Sequence, residues 1–184
     1  MKIVRCTQLD SAEIGRFYAL YQAAFEPMRT RAAARHLLTI DEFAAEMADE
    51  RIEKYVANGD AAAVGLTTMT THLAAIPWIE PLFYLSRYPQ QAARGALFYL
   101  GYILVDPRAE DTYGAFKAMA DSVLRRCADS DGVLAWDACV FNVERAIGRM
   151  TGRLETEWKA RVEEVDRQAY FVAHFGYADP REAG

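Results

Sequence analysis

The run Leu97-Phe-Tyr-Leu-Gly-Tyr-Ile-Leu-Val105 is apolar at almost every position and ends at Asp106-Pro107. A strand with one face in water alternates polar and apolar residues, whereas a strand covered on both faces does not. This run therefore predicts a central strand with layers above and below it, and it restricts the chain to helices packed around a sheet. Pro107 supports the boundary, because it lacks the amide that a sheet ladder needs.

The flanking patterns supply the layers. Residues 3–7 read as a short strand, followed by Asp10-x-x-Glu13, a capping-box-like start, and by Ile14, Phe17, Tyr18, Tyr21 and Phe25 at helical spacing. After Pro27 comes a basic stretch of Arg29, Arg31, Arg35 and His36, and then Thr39-Ile-Asp-Glu42, a capping box that opens a helix through Phe43 and Met47. Residues 52–56 and 61–70 flank Ala57-Asn58-Gly59-Asp60, where Asn-Gly predicts a hairpin with a type I′ turn. Residues 73–94 carry Pro77, Pro81 and Pro89 among Trp78, Phe83, Tyr84 and Tyr88, which predicts an irregular, aromatic-rich insertion.

Beyond the central run, Phe116, Met119, Ala120, Val123, Leu124 and Cys127 repeat at helical intervals behind the capping candidates Asp111 and Thr112. Asp131-Gly132 breaks that helix, residues 133–141 predict a second buried strand, and Asn142 is placed to cap a helix containing Ala146, Ile147 and Met150. Two strand-like runs follow at about 158–165 and 168–175, with a polar tail at 176–184. The 184 residues, 52% of them hydrophobic, suffice for one core, so a single domain over 1–184 is expected.

Composition excludes several classes. With 21 Lys plus Arg against 26 Asp plus Glu, no basic field is present to hold a nucleic-acid backbone, and nucleic acid is not an expected partner. No stretch approaches the roughly 20 apolar residues of a membrane span, and Met1-Lys2-Ile3-Val4-Arg5 lacks the apolar segment of a signal peptide, so a cytoplasmic protein without a membrane partner is expected. Cys6, Cys127 and Cys139 are odd in number and far apart, and His36, His72 and His174 show no ligand spacing; neither a disulfide framework nor a metal site is expected.

Three stretches carry a resemblance to a known family. Tyr55-Val-Ala-Asn-Gly-Asp60 followed by Ala63-Val-Gly-Leu66 is similar to the second hairpin of the GNAT N-acetyltransferase superfamily, Leu104-Val-Asp-Pro107 to the end of its fourth strand, and Asn142-Val-Glu-Arg-Ala-Ile147 to the start of the helix that follows its fifth. The order of elements also resembles that family over nearly the whole chain except 73–94. The resemblance implies an α/β (α+β) fold: a central, mixed and largely antiparallel sheet of about seven strands with helices on both faces.

In that family the fourth and fifth strands splay apart, and an acyl-CoA lies between them as co-substrate. Its pantetheine arm pairs with the fourth strand and its pyrophosphate rests on amides at the following helix start, where unpaired N–H groups and the helix dipole favour anions. The corresponding backbone here is Ile103, Leu104 and Val105, then Thr112, Tyr113, Gly114 and Ala115, with Asn142 nearby in the resemblance. The family's Q/R-x-x-G-x-G/A falls on Glu110-Asp-Thr-Tyr-Gly-Ala115, so an acid replaces the cation and Tyr113 the first glycine; Asp111 and Thr112 also read as plain helix caps. Arg108 and Lys117 are neighbouring cations that could restore some positive charge there.

The family's usual base position falls on Gly101 and its usual tyrosine acid on Met150. Tyr102, Asp137 and His72 are the candidate catalytic residues in their stead, with Glu80 a further titratable group near the cleft. Each has a structural alternative: Tyr102 in the core, Asp137 anchoring a loop, His72 at a strand end, Glu80 on the surface. Arg29, Arg31, Arg35 and His36 can clamp an anion or form a solvated helix surface. Trp78, Phe83, Tyr84 and Tyr88 can line an apolar acceptor pocket, plug the sheet or form a homodimer contact.

The function this implies is an acyl-CoA-dependent N-acyltransferase, using acetyl-CoA or another acyl-CoA, acting on a small or medium apolar amine as its small-molecule acceptor. The alternative is a GNAT-like binding or assembly module that has lost acyl-CoA binding.

Overall fold

Two capping boxes fix where the N-terminal helices begin. After strand β1 (Lys2–Cys6), Asp10 caps α1 (Ser11–Phe25). The Glu13 amide donates to Asp10 Oδ1 at 2.8 Å, and the Asp10 amide donates to Glu13 Oε2 at 3.3 Å. Thr39 does the same for α2 (Ile40–Ala48), with reciprocal bonds of 3.2 and 2.7 Å to Glu42. Each box satisfies two amides that a helix start otherwise leaves open.

The computed structural model describes residues 1–33, 37–60, 62–144 and 148–174, with the backbone alone for 148–150. It divides into two units, Met1–Val143 and Glu144–Gly184. The first unit continues with β2 (Glu53–Asn58), β3 (Ala63–Thr70), α3 (Pro81–Arg87), α4 (Pro89–Ala93), β4 (Leu97–Val105), α5 (Thr112–Ala128), β5 (Val133–Ala135) and the short α6 (Val140–Asn142). Its sheet has the order β1-β2-β3-β4-β5; neighbours are antiparallel except β4 and β5, which run parallel.

Both faces of the sheet are covered, as the central apolar run requires. On one face Phe17 and Tyr21 of α1 and Phe43 and Met47 of α2 pack on Val56, Leu66, Tyr102 and Leu104. On the other, Val123 and Cys127 of α5 pack with Tyr55, Met69 and Phe98, while Ala115 and Met119 pack with Ala57.

β4 does not keep one alternation along its length. Phe98 and Leu100 face α5, and so do Ile103 and Val105, which is an odd step. The register shows why: Met69 pairs with Leu100 but Thr67 with Ile103, so Thr68 opposes both Gly101 and Tyr102 in a β-bulge. A Cβ at Gly101 would stand 2.3 Å from Thr68 Oγ1, and the Tyr102 carbonyl accepts from Thr67 Oγ1 at 2.7 Å. Glycine at 101 therefore serves a close approach rather than a turn.

Several expectations are corrected. Among the described residues the sheet has five strands, not about seven. The predicted strand over 133–141 is paired only at Val133–Ala135, and among the described residues none of 158–174 is in a helix or strand. There the ion pairs are local: Arg167 binds Glu164 at 2.7 Å, an i,i+3 pair whose members a strand would point to opposite faces. The insertion at 73–94 is helical, because Pro81 and Pro89 stand at the first positions of α3 and α4, where the missing amide costs nothing.

The Asn-Gly turn is also different. Neither Asn58 nor Gly59 has positive φ; the loop is longer, closed by the Gly59 amide donating to the Ala62 carbonyl at 3.0 Å. Asn142 is no cap but the last residue of α6, whose cap position is Cys139. Of the predicted helix behind it, Ala146 and Ile147 lie outside the described residues. The second unit contains α7 (Gly148–Glu157), whose end is closed by the Ala160 amide donating to the Leu154 carbonyl at 3.1 Å. Among the described residues no helix is long and apolar enough to cross a membrane.

Candidate active site

β4 and β5 form a fork in the sense that their pairing stops where β5 ends at Ala135 while β4 runs on to Val105. They pair at only three positions, Leu97 with Val133, Phe98 with Leu134 and Tyr99 with Ala135. Past Tyr99, among the described residues, β4 pairs with β3 alone, so the edge of Gly101–Val105 that faces away from β3 carries no strand. The bulge at Gly101 and Tyr102 lies just beyond the last shared rung, where bulges characteristically re-aim a strand.

The polar groups at the base of the fork come from three elements. Tyr99 is fully buried in β4, packed with Leu73, Ile76 and Leu97 and edge-on to Tyr84 of α3, with ring centroids 5.9 Å apart. Its hydroxyl donates to Asp137 Oδ1 at 2.6 Å. The indole N–H of Trp78 donates to the same oxygen at 3.3 Å. Burial, and then the charge of Asp137, push the Tyr99 hydroxyl far above the ordinary tyrosine range. Tyr99 thus keeps its proton and acts as a fixed donor, while Asp137 remains exposed two residues past the last rung.

The other candidates separate. Tyr102 belongs to the aromatic core, 5.5 Å from Tyr21 and 6.4 Å from Phe43 between ring centroids. His72 is exposed ahead of a 3-10 turn over Leu73–Ala75, and its backbone amide donates to Thr70 Oγ1 at 2.9 Å. Glu80 caps α3 through the Leu82 amide at 2.9 Å. Arg29 pairs with Glu26 at 3.2 Å, Arg31 lies 4.8 Å from the centre of the Phe141 ring, and Arg35 and His36 lie outside the described residues. Tyr99 was not among the residues that the sequence singles out. Its signal is weak, since an unbroken apolar run does not reveal which tyrosine faces a carboxylate.

At the other end of the fork, the start of α5 is occupied by the chain itself. Asp111 Oδ1 accepts from the Gly114 amide at 2.8 Å. A Cβ at Gly114 would stand 1.9 Å from Asp111 Oδ2, so that glycine makes room for the cap. Thr112 and Tyr113 are exposed and Ala115 is buried against the sheet. The nearby cations are engaged as well: Arg108 binds Asp106 with bonds of 3.0 Å to each carboxylate oxygen, and Lys117 binds Asp121 at 2.6 Å. A shallow cavity of about 620 Å³ beside this loop is lined in part by Asp60, Glu110 and Asp111. Among the described residues no group of three His, Cys, Asp or Glu is arranged to hold a metal ion.

No protein-family model and no curated protein matches the chain. Solved structures do. An N-acetyltransferase from Staphylococcus aureus Mu50 superimposes with a TM-score of 0.55 at 16% identity, over 84% of this chain and 83% of its own. A Bacillus halodurans protein gives a TM-score of 0.55 at 13% identity, over 94% of this chain and 100% of its own. An aminoglycoside acetyltransferase from an uncultured soil sample, solved in complex with sisomicin, gives 0.50 at 15%, over 94% and 96%. At such identities the likeness is one of backbone architecture, and by that architecture the chain has the GNAT N-acetyltransferase fold.

Proposed function

We propose that this chain is an N-acyltransferase that moves an acyl group from an acyl-CoA thioester, acetyl-CoA in the simplest case, to the amine of a small or medium acceptor with an apolar body. The observation that carries this reading is the fork: a central strand paired on one side and, among the described residues, without a strand partner on the other from Gly101 to Val105. Such an edge offers the backbone of Ile103, Leu104 and Val105 to an extended chain of amides, as a sheet edge does to an added strand.

The donor fits in one part and not in another. The open edge suits its amide-bearing arm. The start of α5 does not suit its pyrophosphate, because Asp111 already occupies the Gly114 amide and Glu110 adds a second charge of the wrong sign. No step is therefore assigned to that end. A thioester supplies an activated acyl carbon; orientation of the amine is left to the chain, and holding two reactants in line contributes much of an acyl-transfer rate by itself. Asp137, with Tyr99 and Trp78, is the polar group available for this task, and Trp78 and Tyr84 offer the apolar surface.

The test is acyl transfer itself. The purified protein should release free thiol from acetyl-CoA or a longer acyl-CoA in the presence of amines, and titration calorimetry should detect acyl-CoA binding. If neither heat nor thiol release is found across the acyl series, the reading is wrong.

A further inference from the structure

We propose that the acyl donor is recognised by its pantetheine arm alone, so that the chain takes a thioester of pantetheine and gains no affinity from the nucleotide diphosphate of CoA. This deepens the acyltransferase reading and rests on it. It follows from the disagreement between the two places that a whole acyl-CoA would have to occupy.

The arm has a place. Pantetheine is an extended chain with amides in line, and the edge of Gly101–Val105 that faces away from β3 carries no strand among the described residues. Backbone pairing along such an edge needs neither a charged side chain nor a phosphate.

The phosphates do not. A pyrophosphate on a helix start needs amides and cations that are not already taken. Between β4 and α5 the chain takes several of its own. The Arg108 amide donates to Asp106 Oδ1 at 2.9 Å, the Ala109 amide to the Asp106 carbonyl at 3.0 Å, and the Gly114 amide to Asp111 Oδ1 at 2.8 Å. The Arg108 guanidinium holds both oxygens of Asp106. Asp106 is only 7% exposed, so turning Arg108 toward a phosphate would leave a buried carboxylate short of its partner. Lys117 is held less firmly, in an i,i+4 pair with Asp121. It is one charge against three, because the cavity beside the loop is bordered by Asp60, Glu110 and Asp111. Among the described residues that line this cavity, none is lysine, arginine or histidine. Phosphates brought there would exchange water for like charge.

Titration calorimetry on the full chain, with S-acetyl-pantetheine, S-acetyl-4′-phosphopantetheine and acetyl-CoA as probes, tests the proposal. The three carry the same arm and differ only beyond it. Acetyl-CoA should bind about fivefold more weakly than S-acetyl-pantetheine at low salt, with the phosphopantetheine thioester between them, and added salt should narrow the gap. Glu110→Gln and Asp111→Asn made together remove both charges while asparagine keeps the helix cap. This variant should bring the affinity for acetyl-CoA up toward that for S-acetyl-pantetheine. Acetyl-CoA bound more tightly than S-acetyl-pantetheine by the wild type would overturn the proposal and leave the acyltransferase reading in place. So would a double variant, its fold confirmed by circular dichroism, in which the affinities for both thioesters shift by the same factor. If no thioester binds, the acyltransferase reading falls and takes the proposal with it. If S-acetyl-pantetheine binds at least as tightly as acetyl-CoA but no amine releases its thiol, the donor assignment stands and the transfer reading is removed.

Discussion

The two ends of the β4–β5 fork treat charge in opposite ways. At the start of α5, three charged groups have their partners within a few residues: Asp106 takes Arg108, Asp111 takes the Gly114 amide, and Lys117 takes Asp121. At the base of the fork, by contrast, partners come from far along the chain. Tyr99 and Trp78 lie 38 and 59 residues from Asp137. Short-range pairing needs only local sequence and satisfies the groups that it joins. Long-range pairing depends on the fold, and here it fixes a carboxylate that still faces solvent. The first end engages its cations and a helix-start amide with its own acids, and the second holds a carboxylate through donors from distant parts of the chain.

The most damaging test of this contrast removes the bulge that separates the two ends. Gly101→Ala would push a methyl group onto Thr68 Oγ1, since an ideal Cβ already stands at 2.3 Å and Thr68 is only 1% exposed. Overpacking of this kind costs about 1–3 kcal/mol, readable as a lower urea midpoint with an unchanged slope. Adding Thr68→Ala removes the obstructing oxygen, so the double variant should lose less than the two single variants together. If Gly101→Ala proves neutral, the bulge does not depend on that close approach, and the origin of the fork lies elsewhere.

How far these features could be read in advance depended on their range. The capping boxes at Asp10 and Thr39 were legible because each lies within four residues, and the two-sided burial of β4 was legible from its unbroken apolarity. The bulge was hidden by the same property: when every residue is apolar, a one-residue shift leaves no trace in the pattern, and only Gly101 marks it. Pro81 and Pro89 were read as breaks although they begin helices, since proline at a first helical position and proline in a loop look alike without the following residues' contacts. The charged run after Trp158 has enough valines to suggest strands, but its ion pairs close locally. Asp137 was among the candidates; its partner Tyr99 was not, because a hydrogen bond spanning 38 residues is a property of the sheet register.

A gentler change should sharpen the contrast by opening the closed end. Asp111→Ala removes the side chain that holds the Gly114 amide, and loss of such a cap costs about 1 kcal/mol. The same change frees an amide at a helix start and removes a repelling charge, so calorimetry should show tighter binding of acetyl-CoA. Glu110→Arg and Tyr113→Gly made together should tighten it further, by adding a cation and backbone freedom where the phosphates would rest. Unchanged affinity in these variants would mean that the native loop does not exclude the pyrophosphate, and the two ends of the fork would no longer differ in the way described.

The smallest effect concerns the ion pair that precedes α5. The Arg108 guanidinium, together with the Arg108 backbone amide, holds the Asp106 carboxyl at about 2, well below the usual carboxylate range. A carboxyl depressed in the folded state contributes stability above its unfolded value of about 3.9, and loses it as pH falls toward the folded value. Arg108 is largely exposed, so solvent screens the pair and its contribution is small. Asp106→Asn should therefore melt slightly below the wild type at pH 6, and the gap should close between about pH 4 and pH 2. Salt should narrow it as well. A gap that stays constant across this range would show that Asp106 acts through its buried, neutral contacts rather than its charge, and would remove one of the three local pairs on which the closed end rests.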